Sequence, residues 1–99
     1  MSLTTTPSPV LVQTQSCLVL RSGYRLQWEP RQEAWVLLFP EGMVVLSETA
    51  QQILELCRQP VLTDDLIASL QARYPGEEIR ADVLEFLQEA FELGWLESG

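Results

Sequence analysis

The sequence contains no histidine and no lysine, and all six of its basic residues are arginines. The proton shuttles, triad bases, Schiff bases and phosphate-binding lysines of common enzymes therefore have no residue to carry them. Its five glycines are scattered, so the glycine-rich phosphate loop is absent as well. The acid pair Asp64/Asp65 opens one predicted helix and Glu77/Glu78 precedes another, so helix-start electrostatics explain both pairs. We therefore expect a protein without catalytic activity.

Cysteine is also scarce. Cys17 and Cys57 are the only two, and they are separated by forty positions with no CxxC spacing. A structural zinc site needs four ligands from cysteine and histidine, which this chain lacks. We expect both residues to be free thiols in the core, and we expect no metal and no cofactor.

No apolar run approaches the roughly 18 residues that a membrane-spanning helix requires. The N-terminal residues MSLTTTP carry no positive cluster and no leading apolar segment, so they do not resemble a signal peptide. The sequence therefore predicts a cytoplasmic protein.

Basic residues are outnumbered by acidic ones, six to fourteen. The net charge is −8, and residues 51–99 carry −7 of it. A nucleic-acid-binding protein needs a basic footprint that displaces counterions, and binding to anionic lipid needs one too, so neither partner is expected. Two interpretations of the acidity stay open: simple solubility, or attraction of a basic segment on a partner.

The beta-forming residues are concentrated between Tyr24 and Leu46. Polar and apolar residues alternate from Tyr24 to Glu29, which predicts a strand with one buried face. Apolar segments at Trp35–Phe39 and Met43–Leu46, separated by the turn residues Pro40-Glu41-Gly42, predict two more strands. We therefore expect a three-stranded antiparallel meander within a single domain of residues 18–96, preceded by a tail of residues 1–17.

Three helices are predicted after the strands. Ser47 is a good N-cap, and the spacing of the next apolar residues gives one helical stripe, namely Ala50, Ile53, Leu54 and Cys57. Thr63 is predicted to cap a second helix, whose inner face is Leu66, Ile67, Leu70 and Tyr74. A third helix is predicted from Ile79 to about Leu93, with Gly94 as its C-terminal cap. The fold class is therefore α+β.

Two elements are more apolar than the core requires. The second and third strands are apolar on successive residues, so both faces of the sheet need a cover. The helices can cover one face, and the other needs the N-terminal segment, a second subunit or a ligand.

The third helix is apolar over about half its circumference, wider than the roughly 100° of a core-facing stripe. Its surplus edge is either buried by the sheet and helices or lines a groove. The third strand, if it lies at the edge, can template a peptide strand or a second copy of the chain.

Several motifs resemble the PqqD family of pyrroloquinoline quinone (PQQ) biosynthesis. They are RLQWEP at 25–30, VLLFPEGMV at 36–44, ILELC at 53–57, Tyr74-Pro75, and the run from Asp82-Val83 through Phe86-Leu87 to Gly94-Trp95. The resemblance covers about residues 18–96. Arg58-Gln59-Pro60 departs from it, because the family pattern has an acidic or polar residue with glycine there.

The resemblance implies a winged-helix-like domain that acts as a peptide recognition element. It implies binding of the precursor peptide PqqA and its presentation to the radical-SAM enzyme PqqE, which joins a glutamate and a tyrosine side chain of the peptide. In related recognition elements the leader peptide adds a strand at the third strand and lies against the third helix. Carried onto this chain, the peptide-binding residues would be Met43, Val44, Val45 and Leu46 on the strand and Val83, Leu84, Leu87 and Phe91 on the helix.

Two other interpretations stay open from the sequence. A winged-helix transcriptional regulator fits the helix order and size, although not the charge. A structural homodimer, formed through the sheet edge or the N-terminal segment, fits the apolar strands.

Overall fold

The computed structural model of the protein describes residues 11–99. In chain order the elements are β1 (Cys17–Leu20), β2 (Arg25–Glu29), β3 (Ala34–Phe39), β4 (Gly42–Val45), α1 (Glu48–Glu55), β5 (Val61–Leu62), α2 (Thr63–Arg73), α3 (Arg80–Glu92) and β6 (Leu96–Ser98). They form two three-stranded antiparallel sheets and three helices. The predicted α+β class is confirmed, while the comparison with winged-helix domains stays a prediction.

The predicted meander is the sheet β2-β3-β4. Leu26 pairs with Leu37, and Leu37 pairs with Val44, so these three side chains share one face of the sheet. Leu26 and Leu37 are buried in the core on that face, beside which α1 packs. The alternation of strand β2 therefore identified the inner face correctly.

A second sheet, β5-β1-β6, was not predicted. Its central strand β1 pairs with Val61–Leu62 on one side and with Leu96–Ser98 on the other. These partner strands are only two or three residues long, which is too short for an alternation of polar and apolar residues to show in the sequence. Of the predicted tail, residues 1–10 lie outside the described part of the chain, and Cys17 begins β1. The domain boundary at residue 18 stays a prediction.

The sequence signals predicted the start of α1 correctly and the cap of α2 incorrectly. The Ser47 hydroxyl accepts a hydrogen bond from the Ala50 N–H at 3.1 Å, so Ser47 caps α1 as predicted. The predicted cap at Thr63 is wrong, because Thr63 is the first helical residue and Leu62 precedes it without a side-chain cap. The Thr63 hydroxyl donates instead to the Ser16 carbonyl oxygen at 3.0 Å. The pairing of β5 with β1 brings these two residues together and buries Thr63.

One hydrophobic core joins both sheets and all three helices. Leu18, Leu37, Leu54, Leu66 and Leu87 are each at most 1% exposed and represent five different elements. Leu96, which follows the αL residue Gly94 (φ 83°), folds back onto this core, and Trp95 packs against it. In residues 11–99 no helix has the length and apolarity needed to cross a bilayer.

The two thiols differ in environment, which predicts different reactivity. Both are free; Cys57 is fully buried and Cys17 half-buried. Burial raises the pKa of the Cys57 thiol to about 12. Because the thiolate is the reactive form, we expect a thiol reagent at pH 8 to modify Cys17 in the folded protein and Cys57 only after denaturation.

The same shift gives stability a pH dependence. In the unfolded chain the Cys57 thiol ionises near its ordinary pKa of 9.0, while in the folded protein it stays neutral to about pH 12. The free energy of unfolding should therefore fall as pH rises from 9 toward 12, and Cys57→Ala should remove that part of the fall. Equal labelling rates of both thiols in the native protein would contradict the burial of Cys57 on which both expectations depend.

Candidate functional site

Strand β4 is an edge strand, because the order β2-β3-β4 leaves it with one partner among the described residues. The Leu46 N–H donates to the Trp35 carbonyl oxygen at 2.9 Å. In an antiparallel ladder, paired and unpaired residues alternate, so Met43 and Val45 direct their backbone N–H and C=O groups away from β3. These groups are arranged to receive another strand.

The side chains of the same two residues are exposed. Met43 is 42% and Val45 is 52% exposed, and both lie on the outer face of the sheet with Val36 and Leu38. Val44 and Leu46 point to the inner face, where Leu46 is buried and Val44 is half-buried. The outer face is thus open at β4, and the cover expected for it from the sequence stays a prediction.

Helix α3 packs on the core through one narrow stripe. Its buried residues are Val83, Leu87 and Ala90, which follow the spacing of a single helix face. On either side of this stripe lies a half-buried flank. Phe86 belongs to one flank, whereas Leu84 and Phe91 lie about 160° and about 140° away from it around the helix axis. The wide apolar arc of the sequence therefore divides into a core stripe and two separate flanks.

The Phe86 flank borders a cavity of about 290 Å³. The cavity begins at Ser47 and Thr49, just beyond the end of β4, and reaches Asp82, Val83 and Phe86 on α3. Its remaining walls are Ala50, Ile53, Leu70, Tyr74, Glu77 and Ile79. Leu93, seven residues after Phe86 and so on the same side of the helix, is 58% exposed. We define this flank as Asp82, Phe86, Glu89 and Leu93, so it combines two apolar side chains with two acidic ones.

The opposite flank already has a neighbour. The Val12 N–H donates to the Gln88 side-chain oxygen at 2.6 Å, which holds the chain before β1 against α3. Phe91 shares a concavity with Leu11, Val12 and Cys17. The segment before β1 therefore lies beside Phe91, on the side of α3 away from Phe86.

The structure brings together only some of the residues that were selected from the sequence. Met43 and Val45 lie together at the open edge. Leu46, Val83 and Leu87 are core residues, and Leu84 and Phe91 are half-buried on the far flank. Phe86 and Leu93 were not selected, although their seven-residue spacing in the apolar arc would have linked them. The binding role of every residue in the set stays a prediction.

Comparison with known proteins decides the family. The family model of Coenzyme PQQ synthesis protein D (PqqD) matches residues 34–96. A "PqqA binding protein" of Stutzerimonas stutzeri is 45% identical over 78 residues, which are 78% of this chain and 85% of that protein. One of Klebsiella pneumoniae is 45% identical over 86 residues, 86% of this chain and 94% of the relative. The chain belongs to the PqqD family.

A solved PqqD structure shares the fold. It is the solution NMR structure of the PqqD truncation of Methylobacterium extorquens PqqCD, described as a functional, stand-alone RiPP recognition element. The TM-score is 0.71 at 25% identity, over 86% of this chain and 93% of the other. The open β4 edge and the Phe86 flank of this chain therefore lie on a domain with the fold of a solved PqqD protein.

Proposed function

We propose that this protein binds the precursor peptide PqqA at the β4 edge and presents it to the radical-SAM enzyme PqqE. It contributes no chemistry to the cross-linking of the peptide. The relatives named as PqqA binding proteins support the choice of peptide. The recognition-element fold supports the mode of binding. Presentation to PqqE rests on the family resemblance, and the cytoplasmic location stays a prediction.

The open edge of β4 is the observation that carries the proposal. Outward-facing backbone groups on Met43 and Val45 can form two pairs of main-chain hydrogen bonds with an extended peptide. Such bonds supply affinity without regard to peptide sequence, so selectivity has to come from side-chain contacts. Exposed Met43 and Val45 offer apolar contact on the outer face of the added strand.

The Phe86 flank supplies contacts on the inner face. A peptide that continues along β4 beyond Val45 arrives at Ser47 and Thr49, where the cavity opens toward Phe86. The cavity volume of about 290 Å³ is large enough for an apolar side chain. The carboxylates of Asp82 and Glu89 on this flank favour a basic residue beside the apolar one. A peptide with both kinds of residue is therefore the best fit.

A titration of PqqA into the labelled protein tests this arrangement. We expect the amide signals of residues 43–46 and of Phe86 and Leu93 to shift, together with heat release by calorimetry. Signals of Leu84 and Phe91 should move less, since these residues lie on the other flank. Large shifts confined to Leu84, Phe91 and the segment before β1 would reject the Phe86 flank in favour of the opposite one.

A homodimer formed through the same edge would compete with the peptide. Sedimentation velocity with and without PqqA separates these possibilities. If β4 pairs with a second copy, adding peptide converts dimer to monomer. If the protein is a monomer throughout, the edge is free for the peptide. A dimer that persists at saturating PqqA would mean that the two surfaces are distinct, and β4 would then be assigned by the amide shifts.

A further inference from the structure

Two tryptophans lie together at the end of the meander. Trp28 on β2 and Trp35 on β3 are cross-strand partners, and their rings meet edge to face with centroids 6.1 Å apart and an interplanar angle of 71°. Trp28 remains 47% exposed despite this contact. An edge-to-face pair leaves the face of one indole open, and indole faces attract cations.

Two acidic residues line the same concavity as the tryptophans. A concavity of about 340 Å³ is lined by both tryptophans together with Glu33, from the β2–β3 turn, and Glu48, from the first turn of α1. The turn is fixed in part by a hydrogen bond from the Glu33 N–H to the Pro30 carbonyl oxygen, at 3.2 Å. Within residues 11–99, no ion pair or hydrogen bond engages the side chain of Glu33 or Glu48. The site therefore combines aromatic walls with two unneutralised negative charges.

This concavity adjoins the cavity beside Phe86, because Ser47 lines both. Beyond Ser47 their α1 walls differ: Glu48 and Gln51 line the tryptophan concavity, whereas Thr49, Ala50 and Ile53 line the cavity beside Phe86. The tryptophan site is tested on the protein without PqqA, so the result does not depend on whether PqqA binds at β4.

We infer that Trp28, Trp35, Glu33 and Glu48 form a docking site for an arginine side chain of a second protein. A guanidinium is planar and weakly hydrated, so it can stack on an indole while donating hydrogen bonds to carboxylates. Lysine presents a compact, strongly hydrated charge that stacks less well. Tryptophan and arginine are also the residues that most often dominate protein–protein binding energy. The net charge of −8 adds a favourable long-range field for such a partner.

A blocked Gly-Gly-Arg-Gly-Gly peptide is the probe, and the same peptide with citrulline is its control. Citrulline has nearly the shape of arginine without the charge. The indole N–H signals of Trp28 and Trp35 should shift saturably with the arginine peptide and not with the citrulline peptide. Trp95, which lies outside the concavity, is an internal reference and should not move.

Charge variants locate the binding site. Glu33→Gln and Glu48→Gln should each weaken binding of the arginine peptide by roughly three- to fivefold, as expected for one partly exposed charge pair. Glu92→Gln removes the same charge from an exposed position on α3 and should have no effect. If Glu92→Gln and Glu48→Gln weaken binding of the arginine peptide equally, the net charge of the protein alone explains the effect, and the proposal is overturned.

Two further probes test the chemistry of the occupant. Tetramethylammonium that binds more tightly than the arginine peptide would make the site an alkylammonium cage. Free arginine that binds more tightly than the blocked peptide would make it a metabolite site. Either result rejects docking of an arginine side chain from a protein. The absence of any indole N–H shift with the arginine peptide rejects it as well.

Discussion

Replacing Val45 with proline is expected to weaken PqqA binding at least about tenfold, or about 1.4 kcal/mol, while leaving the domain folded. Proline removes the Val45 N–H, which points away from β3 and so has no ladder partner among the described residues. A strand added to this edge loses one hydrogen bond, worth about 1 kcal/mol, and meets the proline ring at its closest approach.

Two matched variants make the result specific to the edge. Val45→Thr keeps the N–H and the branched shape, so binding should change little. Val44→Pro removes a donor that alternation directs to β3, and it should destabilise the sheet itself. Calorimetry measures binding, and circular dichroism during thermal unfolding measures the fold. Unchanged affinity in a folded Val45→Pro protein would exclude strand addition at β4.

A charged side chain at Val45 tests the same edge in a second way. Val45→Glu keeps the backbone donor but places a charge on the outer face, where the side chain is 52% exposed. Solvent access lets the folded protein accept this charge at little cost. A peptide strand beside it would bury the carboxylate in part, so binding should weaken without a change in melting temperature.

The sequence predicted the meander well and the second sheet not at all. Tyr24–Leu46 carries its own signals, because strand alternation, a glycine turn and continuous apolar runs are local features. Strand β1 instead depends on partners at residues 61–62 and 96–98, which follow long intervals of unrelated structure. Only the assembled fold shows that CLVL, at residues 17–20, is the central strand of a second sheet.

The sequence predicted the strand half of the candidate site, but on the helix half it did not separate core residues from exposed ones. The edge position of β4 follows from a meander that ends there, so Met43 and Val45 could be chosen from sequence. On α3, periodicity gave a wide apolar arc without showing which part turns inward. The core stripe is decided by packing against α2 and β6, and residue spacing within α3 does not contain that information.

Truncating Leu87 to alanine is expected to be a stability mutation and not a binding mutation. Leu87 is 0% exposed at the centre of the core stripe, so removing its side chain should lower the free energy of unfolding by about 2–5 kcal/mol. The cost combines lost burial with an unfilled cavity between α3 and the core. For a small domain of this size such a loss is a large share of the total stability.

Leu93→Ala is the matched control, since the same atoms are removed from a side chain that is 58% exposed. It should change the unfolding free energy by less than about 1 kcal/mol, as is usual for exposed positions. If Leu93 belongs to the peptide groove, this variant should weaken PqqA binding, whereas folded Leu87→Ala protein at low temperature should bind normally. Urea unfolding followed by tryptophan fluorescence gives the first quantity, and calorimetry gives the second. The reverse pattern, with Leu87→Ala stable and defective in binding, would mean that α3 turns its central stripe toward the peptide and not toward the core.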